Sequence, residues 1–450
     1  MRELKKNKLV LGRNQRLLSI KEAAEFLFKE DNFNQIGITR LAVTNGLDRV
    51  GIPTASATVP VSADTISIYS GKGTSKLASQ VSAVMEAVER ISATYLPQDP
   101  LLYSEQELIQ LGKSFCSPFS FTEKMYDGYN AKKVIEWLVG RDLSNNKDIL
   151  VPLSSVITPY NPTSKNVHRV FRYTHTNGLA SGFLLQEAIP QAICEVIERD
   201  AISLAELRAS IFPFAKVKQM EANIQELLGG SFKINNASFS DDFNLFKTVD
   251  LDTIPESGQQ LLKRFTEANL DVSLKYIHSD IEIATFGCAC YEKLPNGRSM
   301  FRAGYGTHPD STTALFRAIT ELAQSRIVDI QGAREDVYNF DKRRTRDSLG
   351  KHWLLNASIE KIDFKEIPSY NFSDFSDEIN FLVNSINNTG LKKVIVVPIK
   401  SILKDTYVVR VLIPGSESWH PTGGNSILGD RAEKFALQQG LTVDPKVSYL

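Results

Sequence analysis

The sequence predicts an α+β fold built from three similar units, each of which runs from strands through a glycine turn into a helix. The glycines of the three turns are Gly71 and Gly73, Gly178 and Gly182, and Gly304 and Gly306. The helices that follow align on charged residues, which are Glu86, Glu89 and Arg90, then Glu195, Glu198 and Arg199, then Glu321, Gln324 and Arg326. A spacing of more than 100 residues between copies excludes a solenoid and favours a duplicated α+β unit.

The individual elements follow from hydrophobic periodicity and turn residues. Strands are expected within 36–70, a first long helix over 75–95, and a hairpin with a polar loop over 135–153. A second helix should extend to about Leu207, strands should fill 271–305, and a third helix should cover 312–330. Two more strands, LKKVIVVPI and TYVVRVLIP, precede a Gly/Ser-rich loop and a short final helix.

Composition narrows the class of protein. The 450 residues include 52 Lys and Arg and 52 Asp and Glu, so no global field attracts nucleic acid or an anionic membrane. The N-terminal apolar run is too short for a signal peptide, and no run approaches the ~18 apolar residues that span a bilayer. Four cysteines cannot form a disulfide scaffold, and the spacing of Cys288 and Cys290 does not match a zinc site. We therefore expect a cytoplasmic protein with no nucleic-acid or membrane partner.

Glutamate pairs on the first two helices are the candidate functional residues. Glu86 and Glu89, like Glu195 and Glu198, are three residues apart and project from one helical face. The surrounding residues are almost all apolar, so both helices should be buried, and buried carboxylates are costly unless they are paired or bind a metal. Together with Glu187 these side chains offer hard oxygen ligands, which suit Mg2+ bridged to substrate phosphates.

A salt-bridged scaffold is the alternative interpretation of these glutamates. Glu86 to Arg90 and Glu195 to Arg199 are both i,i+4 pairs with the glutamate N-terminal, which is the favourable order. One such helix would favour this alternative, whereas two near-identical copies in an apolar background favour a metal–phosphate site.

The glycine turns and basic runs carry weaker signals. Gly71-Lys72-Gly73-Thr74 is equally compatible with an anion site and with a tight turn before a helix, and it does not match a Walker A pattern. Asp310 is expected to cap the third helix, and His308 is expected to be structural rather than catalytic. The basic run at 342–346 is expected to be a solvated loop.

Several motifs between about residue 36 and residue 432 resemble those of the YcaO family. They are Gly46-Leu47-Asp48-Arg49-Val50-Gly51-Ile52-Pro53; Gly71-Lys72-Gly73 followed by Ser82-Ala83-x2-Glu86-x2-Glu89-Arg90; Asn177-Gly178-Leu179-Ala180-Ser181-Gly182; Glu187-x7-Glu195-x2-Glu198-Arg199-Asp200; Gly304-x-Gly306-x-His308; Arg317-Ala318-x2-Glu321-x2-Gln324-x-Arg326; and Val411-Leu412-Ile413-Pro414-Gly415. Each motif alone is weak, but their order and spacing together are highly specific.

This resemblance implies a YcaO-like fold that packs its sheets around a buried ATP site, with ATP and Mg2+ as cofactors. It implies ATP-dependent activation of peptide backbone amides in ribosomal peptide modification. A nucleophile adds to the amide carbonyl, ATP phosphorylates the resulting oxygen, and phosphate leaves, which gives an azoline (thiazoline or oxazoline) or a thioamide. By similarity, the Mg2+ ligands would be Glu86, Glu89, Glu187, Glu195 and Glu198, and the nucleotide would contact Arg16, Ser82, Arg199 and Arg317.

The resemblance also implies an organisation of the chain and a set of partners. We assign residues 1–35 to an N-terminal segment that contributes to the nucleotide site, 36–330 to a YcaO core of repeated α+β units, and 331–450 to the C-terminal part of the same domain. A precursor peptide is the expected substrate. A separate TfuA-like or E1-like protein is the expected partner, because the chain has no room for a fused leader-binding domain, and a homodimer is compatible with this organisation.

Three departures from the family pattern bear on the reaction. Phe183 stands four residues before Glu187, where many members carry Asn, and Ala23 stands at a polar position of the nucleotide site, for which Ser19 is a substitute. The chain also lacks the proline-rich end of many azoline-forming members, which shifts weight toward thioamide formation. A non-catalytic ATP-binding accessory protein is therefore the second hypothesis, supported by Phe183 and Ala23.

Overall fold

A computed structural model describes residues 16–95, 100–228, 246–293, 299–335, 352–355, 358–418 and 427–441. The α-helices in this part of the chain are α1 (Ile20–Leu27), α2 (Glu30–Ile36), α3 (Lys76–Ser92), α4 (Glu105–Gln110), α5 (Leu185–Glu206), α6 (Phe212–Leu228), α7 (Glu256–Glu267), α8 (Ser311–Gln331), α9 (Phe375–Asn388) and α10 (Asp430–Gln438). The three helices of the repeated motif are α3, α5 and α8, which are the longest or among the longest of the set.

The strands of the described residues form three sheets. They are β1 (Arg40–Val43), β2 (Thr54–Thr58), β3 (Ile68–Lys72), β4 (Leu101–Tyr103), β5 (Ile135–Asp142), β6 (Lys147–Pro152), β7 (Leu179–Gly182), β8 (Thr248–Val249), β9 (Val272–Tyr276), β10 (Thr285–Lys293), β11 (Ser299–Thr307), β12 (Lys361–Ile362), β13 (Ile395–Ile399) and β14 (Tyr407–Leu412). The sheet orders are β1-β2-β3, β11-β10-β9-β8-β12 and β4-β5-β13-β14-β7, with β6 paired to β5.

Each sheet therefore ends in the strand that precedes one of the three motif helices: β3 before α3, β7 before α5 and β11 before α8. All strand pairs are antiparallel except that of β8 with β12. The mixed helix-and-sheet architecture confirms the predicted fold class. A common origin of the three units and the division at residues 35 and 330 stay predictions.

Each motif helix packs its apolar face on a sheet. Val84, Ala87 and Val88 of α3 share a core with Ala57 and Tyr69. A second core joins α8 and α7 to β9 and β10, and a third joins α5 and α9 to β13 and β14. Burial of these faces, at ~25 cal/mol per Å2 of apolar surface, is the main force that holds helices and sheets together.

Glycines allow the strands to approach the helix backbones closely. A Cβ at Gly71 would collide with the backbone of α3 at Ser79 and Ala83, and a Cβ at Gly306 would collide with that of α8 at Ala314. Only glycine fits where two backbones are this close, so the motif glycines serve helix–strand packing. Gly71 lies within β3, and its close approach to α3 was not among the two interpretations of this segment, of which the anion site stays a prediction.

The sequence-based elements are largely confirmed, and several helices were missed. The long helices, the 135–153 hairpin, the strands of 271–305 and the final helix are present, and Asp310 accepts hydrogen bonds from Thr312 and Thr313 as the cap of α8. Helices α1, α2, α4, α6, α7 and α9 were not predicted. The basic run at 342–346 lies outside the described residues.

In the part of the chain that the structure describes, no helix combines the length and the apolarity that a bilayer crossing requires. All four cysteines lie in the described part of the chain, where they are buried and form no disulfide. The C-x-C pair of β10 contributes both sulfur atoms to the core around α8, as a structural role predicts.

Candidate active site

A single cavity of about 880 Å3 lies where α3, α5 and α8 meet the ends of the three sheets. Helices α1 and α7 complete its wall. All nine residues that the resemblance assigned to metal or nucleotide binding line this cavity, and they are Arg16, Ser82, Glu86, Glu89, Glu187, Glu195, Glu198, Arg199 and Arg317. The structure thus brings together side chains that are up to about 300 positions apart in sequence, while their individual roles stay predictions.

The edge strands hold the carboxylates in place through backbone hydrogen bonds. The N–H of Ser70 on β3 donates to Oε2 of Glu86 over 2.7 Å, and the N–H of Tyr305 on β11 donates to Oε1 of Glu321 over 3.2 Å. Edge strands have backbone groups without strand partners, and these glutamates bind some of them. The same contact satisfies the strand and orients the carboxylate toward the cavity.

Glu187 is held in a related way from the end of β7. The N–H of Phe183 donates to its Oε2 over 2.8 Å, and Nη1 of Arg16 lies 3.5 Å from its Oε1. Among the described residues of the N-terminal segment, Arg16 is the only charged residue that lines the cavity. This contact supports the predicted contribution of the N-terminal segment to the site.

The carboxylates of α3 and α5 have raised pKa values. Burial raises the pKa of Glu86 and of Glu195, and burial together with the charges of Glu195 and Glu86 raises the pKa of Glu89 well above its usual value. Burial and the charge of Glu321 raise the pKa of Glu198 to about 7. Mutual repulsion among buried carboxylates is what a bound cation would relieve.

The donor set fits Mg2+ ions that are shared with a phosphate ligand. Among the described residues, no three His, Cys, Asp or Glu side chains are placed to hold a metal ion by themselves. Mg2+ commonly takes one or two carboxylates and completes its octahedron with water and substrate phosphates. Carboxylates spread around one cavity, with Arg16, Arg199 and Arg317 between them, suit such shared coordination, because the arginines can bind phosphate oxygens.

Two functional candidates of the cavity were absent from the sequence-based set. Glu321 lines the cavity and is the third-helix counterpart of Glu86, so the motif alignment already contained the signal. Lys72 donates to Glu321, and although burial works to raise the pKa of Glu321, this contact leaves that pKa below its usual value. Gln324 of the same helix donates to the carbonyl of Ser70 and ties α8 to β3.

Arg410 of β14 is a buried cation behind the cavity that no sequence signal indicated. It is 1% exposed, and its Nη2 donates to Nδ1 of His175 over 3.1 Å, while Nε2 of His175 donates to Glu123. Burial lowers the pKa of Arg410 to about 10, and the nearby charges of Glu195 and Glu89 oppose this. Its charge therefore compensates part of the negative charge of Glu195, Glu123 and Glu89.

The salt-bridged alternative does not describe the first helix. Arg90 donates to both oxygens of Asp64, over 2.7 and 3.0 Å, instead of serving Glu86 alone, and it does not line the cavity. Glu86 instead faces the cavity beside Lys72 and Ser70. Arg326 of α8 lies near the position of Arg90 in the motif alignment. It also binds an aspartate through two hydrogen bonds, to Asp48 over 2.7 and 3.1 Å, away from the cavity.

The positions that depart from the family pattern have structural explanations. The Phe183 side chain packs edge-on against Phe26, at 5.7 Å between ring centroids, so its backbone rather than an amide side chain serves the site. Ala23 lines the cavity, whereas Ser19 caps α1 in a capping box with Glu22. The expected substitution of Ser19 at the polar position is therefore wrong, because its hydroxyl is bound to the helix terminus. His308 is buried beside Glu378, as a structural role predicts.

A protein-family model matches most of this chain. The model of the family described as YcaO cyclodehydratase, ATP- and Mg2+-binding, matches residues 70–417. The chain belongs to the YcaO family. This assignment confirms the resemblance, and it confirms ATP and Mg2+ as the cofactors at the level of the family.

Relatives and solved structures agree with this membership. An uncharacterized protein of Methanothermobacter thermautotrophicus is 31% identical over 394 residues, which cover 86% of this chain and 91% of the relative. An uncharacterized protein encoded in the tfuA 3′ region of Rhizobium leguminosarum is 27% identical over 414 residues, covering 89% and 88%.

Two solved structures share the YcaO fold with this chain at low sequence identity. The YcaO protein of Methanopyrus kandleri, bound with AMPPCP and Mg2+, aligns with a TM-score of 0.67 and 20% identity over 98% of this chain and 99% of that one. A heterocyclase in complex with substrate and cofactor aligns with a TM-score of 0.73 and 20% identity over all of this chain. This YcaO chain spans 58% of the length of that heterocyclase.

Proposed function

We propose that this YcaO protein uses Mg2+ and ATP to phosphorylate the oxygen of a peptide backbone amide during ribosomal peptide modification. The observation that carries the proposal is the convergence of six glutamates from three helices, with arginines between them, around one cavity. A triphosphate could not approach six carboxylates without cations, whereas Mg2+ ions bridged to phosphates would satisfy both partners.

The chemistry requires positioning and charge neutralisation rather than a protein nucleophile. The substrate nucleophile adds to the amide carbon, and the resulting oxygen attacks the γ-phosphorus while the bond to the ADP oxygen breaks. The C–O bond then breaks with loss of phosphate. Arg199 and Arg317, which line the cavity, would neutralise phosphate oxygens as charge develops on them.

The product is a thioamide or an azoline. A Cys, Ser or Thr side chain of the substrate as nucleophile gives an azoline, and external sulfide gives a thioamide. A TfuA-like partner is the partner we propose, supported by the relative whose gene lies in the tfuA 3′ region. The four cysteines are buried without a disulfide among them, which supports a reducing, cytoplasmic location.

The proposed reaction is tested by the mass of a precursor peptide incubated with the protein, a TfuA-like partner, Mg2+, ATP and sulfide. Replacement of one oxygen by sulfur supports thioamide formation, and loss of one water supports an azoline. Phosphate release must depend on the peptide. Phosphate release without any change in peptide mass, or no release at all, contradicts the proposal.

A non-catalytic ATP-binding accessory protein is the second candidate. Phe183 and Ala23 favour it, because neither can supply the polar side chain that many family members carry at these positions. Binding of Mg2+ and AMPPCP without peptide-dependent phosphate release distinguishes this function from the first.

A further inference from the structure

Lys72 at the end of β3 contacts the third motif helix across the cavity. Its ammonium donates to Oε2 of Glu321, a residue 249 positions away, and the two side chains are 25% and 26% exposed. The N–H of Tyr305 donates to the other oxygen of Glu321. Both oxygens of this carboxylate are therefore occupied within the protein itself.

Lys72 also faces the other two motif helices. Its charge acts on Glu198 of α5 and on Glu86 of α3 as well as on Glu321 of α8. The charge of one ammonium thus acts on carboxylates of all three helices, as the charge of a bound metal ion would. A metal ion that took Glu321 as a ligand would therefore compete with the ammonium of Lys72 for this carboxylate.

The backbone around Lys72 is held in place, while its side chain is long and has several rotatable bonds. Lys72 pairs with Thr54 in the β2–β3 ladder, and Gly71 is packed against the backbone of α3. A lysine side chain has four rotatable carbons that end in a compact charge, so it can exchange one anion for another without backbone movement. Arginine keeps the charge but has a planar group with different geometry.

We propose that Lys72 is a mobile internal cation of the nucleotide site. It neutralises Glu321 in the empty cavity, gives this carboxylate up when Mg2+ enters, and then binds the phosphoryl group that is transferred. Lys72 exchanges no proton in this role and only neutralises oxygen atoms. The last part of this inference rests on the proposed function, whereas the competition with Mg2+ does not.

A static salt bridge between β3 and α8 is the competing explanation. The two explanations predict opposite changes in Mg2+ affinity when Lys72 is replaced. If Lys72 only ties the elements together, its removal loosens the site and weakens every ligand. If Lys72 competes with the metal, its removal strengthens the binding of Mg2+ alone while it slows phosphoryl transfer, because one positive charge is lost beside the carboxylates and beside the phosphate.

The test compares Lys72→Met and Lys72→Gln with Lys72→Arg, and with Lys76→Met on the exposed first turn of α3 as the matched control. Calorimetric titration with Mg2+ alone at pH 8 should show about tenfold tighter binding for the two neutral variants and no change for the control. Lys72→Arg should bind Mg2+ as the wild type does, and turnover of ATP by the neutral variants should fall about 100-fold.

Unchanged or weaker Mg2+ binding in both neutral variants overturns the inference. Lys72→Gln keeps a hydrogen bond to Glu321, so it gives an answer even if Lys72→Met fails to fold. Absence of ATP turnover in the wild type would contradict the proposed function, and the titration with Mg2+ would still decide the role of Lys72.

Discussion

The backbone N–H of Ser70 donates a 2.7 Å hydrogen bond to Oε2 of Glu86, so the last residues of β3 orient a carboxylate of the following helix. Tyr305 and Glu321 repeat this relationship at the end of β11. An edge strand and a cavity-lining glutamate satisfy one another in both places. Buried polar groups need hydrogen-bond partners. Here the backbone N–H and the carboxylate are each other's partners, while one face of each carboxylate stays directed at the cavity.

Glu86→Gln separates the charge of this residue from its hydrogen bond. The amide oxygen of glutamine can still accept from Ser70, so we expect a folded protein whose melting temperature is close to that of the wild type. Loss of the charge should lower peptide-dependent phosphate release at least about 100-fold. Glu25→Gln on α1, whose side chain is 66% exposed, is the matched control and should be fully active. A fully active Glu86→Gln would exclude Glu86 from the site chemistry.

Glu89→Gln is expected to stabilise the protein in the absence of ligands. Glu89 is half-buried and is repelled by Glu195 and Glu86, so a neutral amide removes an unfavourable charge. We expect a gain of about 1 kcal/mol in the free energy of unfolding at pH 8, which thermal denaturation would detect. Mg2+ with AMPPCP should raise the melting temperature of the wild type more than that of the variant. A less stable variant would show that repulsion is absent.

Gly71→Ala tests the close packing of β3 on α3. A methyl group at this position collides with the backbone at Ser79 and Ala83, which side-chain rotation cannot relieve. We expect a loss of about 1–3 kcal/mol of stability, measured by chemical denaturation. Gly46→Ala is the control, because a Cβ at Gly46 has no heavy atom within 4 Å. Equal stability of the two variants would refute the packing role of Gly71.

Glu417 predicts a pH dependence of stability that is separate from the cavity. Its oxygens accept from the N–H groups of Gly429, over 3.0 Å, and Ala432, over 2.9 Å, and burial raises its pKa to about 7. Between the ordinary pKa of glutamate and about 7, the unfolded state has lost this proton while the folded state keeps it. The stabilising contribution is therefore complete at low pH and is lost as the pH rises to about 7.

We expect the fall in stability over this pH range to be shallower in Glu417→Gln than in the wild type, by up to about 1.4 kcal/mol per pH unit. Urea denaturation at a series of pH values measures this slope, and Glu25→Gln should leave it unchanged because its side chain is exposed. Identical slopes in the wild type and Glu417→Gln would contradict the raised pKa.

The sequence predicted those parts of the molecule that short-range patterns determine. The i,i+3 glutamates with apolar neighbours predicted carboxylates on the inward faces of α3 and α5, which the structure leaves half-buried along the cavity. The glycines marked each junction of strand and helix. Helix α9 also had a signal that we did not use, because Phe375, Ile379, Leu382 and Ile386 recur with helical spacing.

Other features of the site depend on contacts that no local pattern contains. Arg410 lies at a buried position of β14, where most of the other residues are apolar. Its contact with His175 joins residues 235 positions apart. The pairing of Lys72 with Glu321 likewise arises only when two sheets are brought to one cavity. Distant pairs of this kind require the tertiary structure, since sequence periodicity reports only the face on which a residue lies.

The central claim is that carboxylates from α3 and α5 jointly bind the metal ions of a nucleotide complex. The most direct measurement is a crystal structure with Mn2+ and AMPPCP, in which anomalous scattering locates the metal. We expect anomalous peaks within the cavity, each between phosphate oxygens and glutamates of these helices. Glu89 or Glu195 should be a ligand of at least one metal ion. Nucleotide bound without metal beside these glutamates, or metal bound outside the cavity, would contradict it.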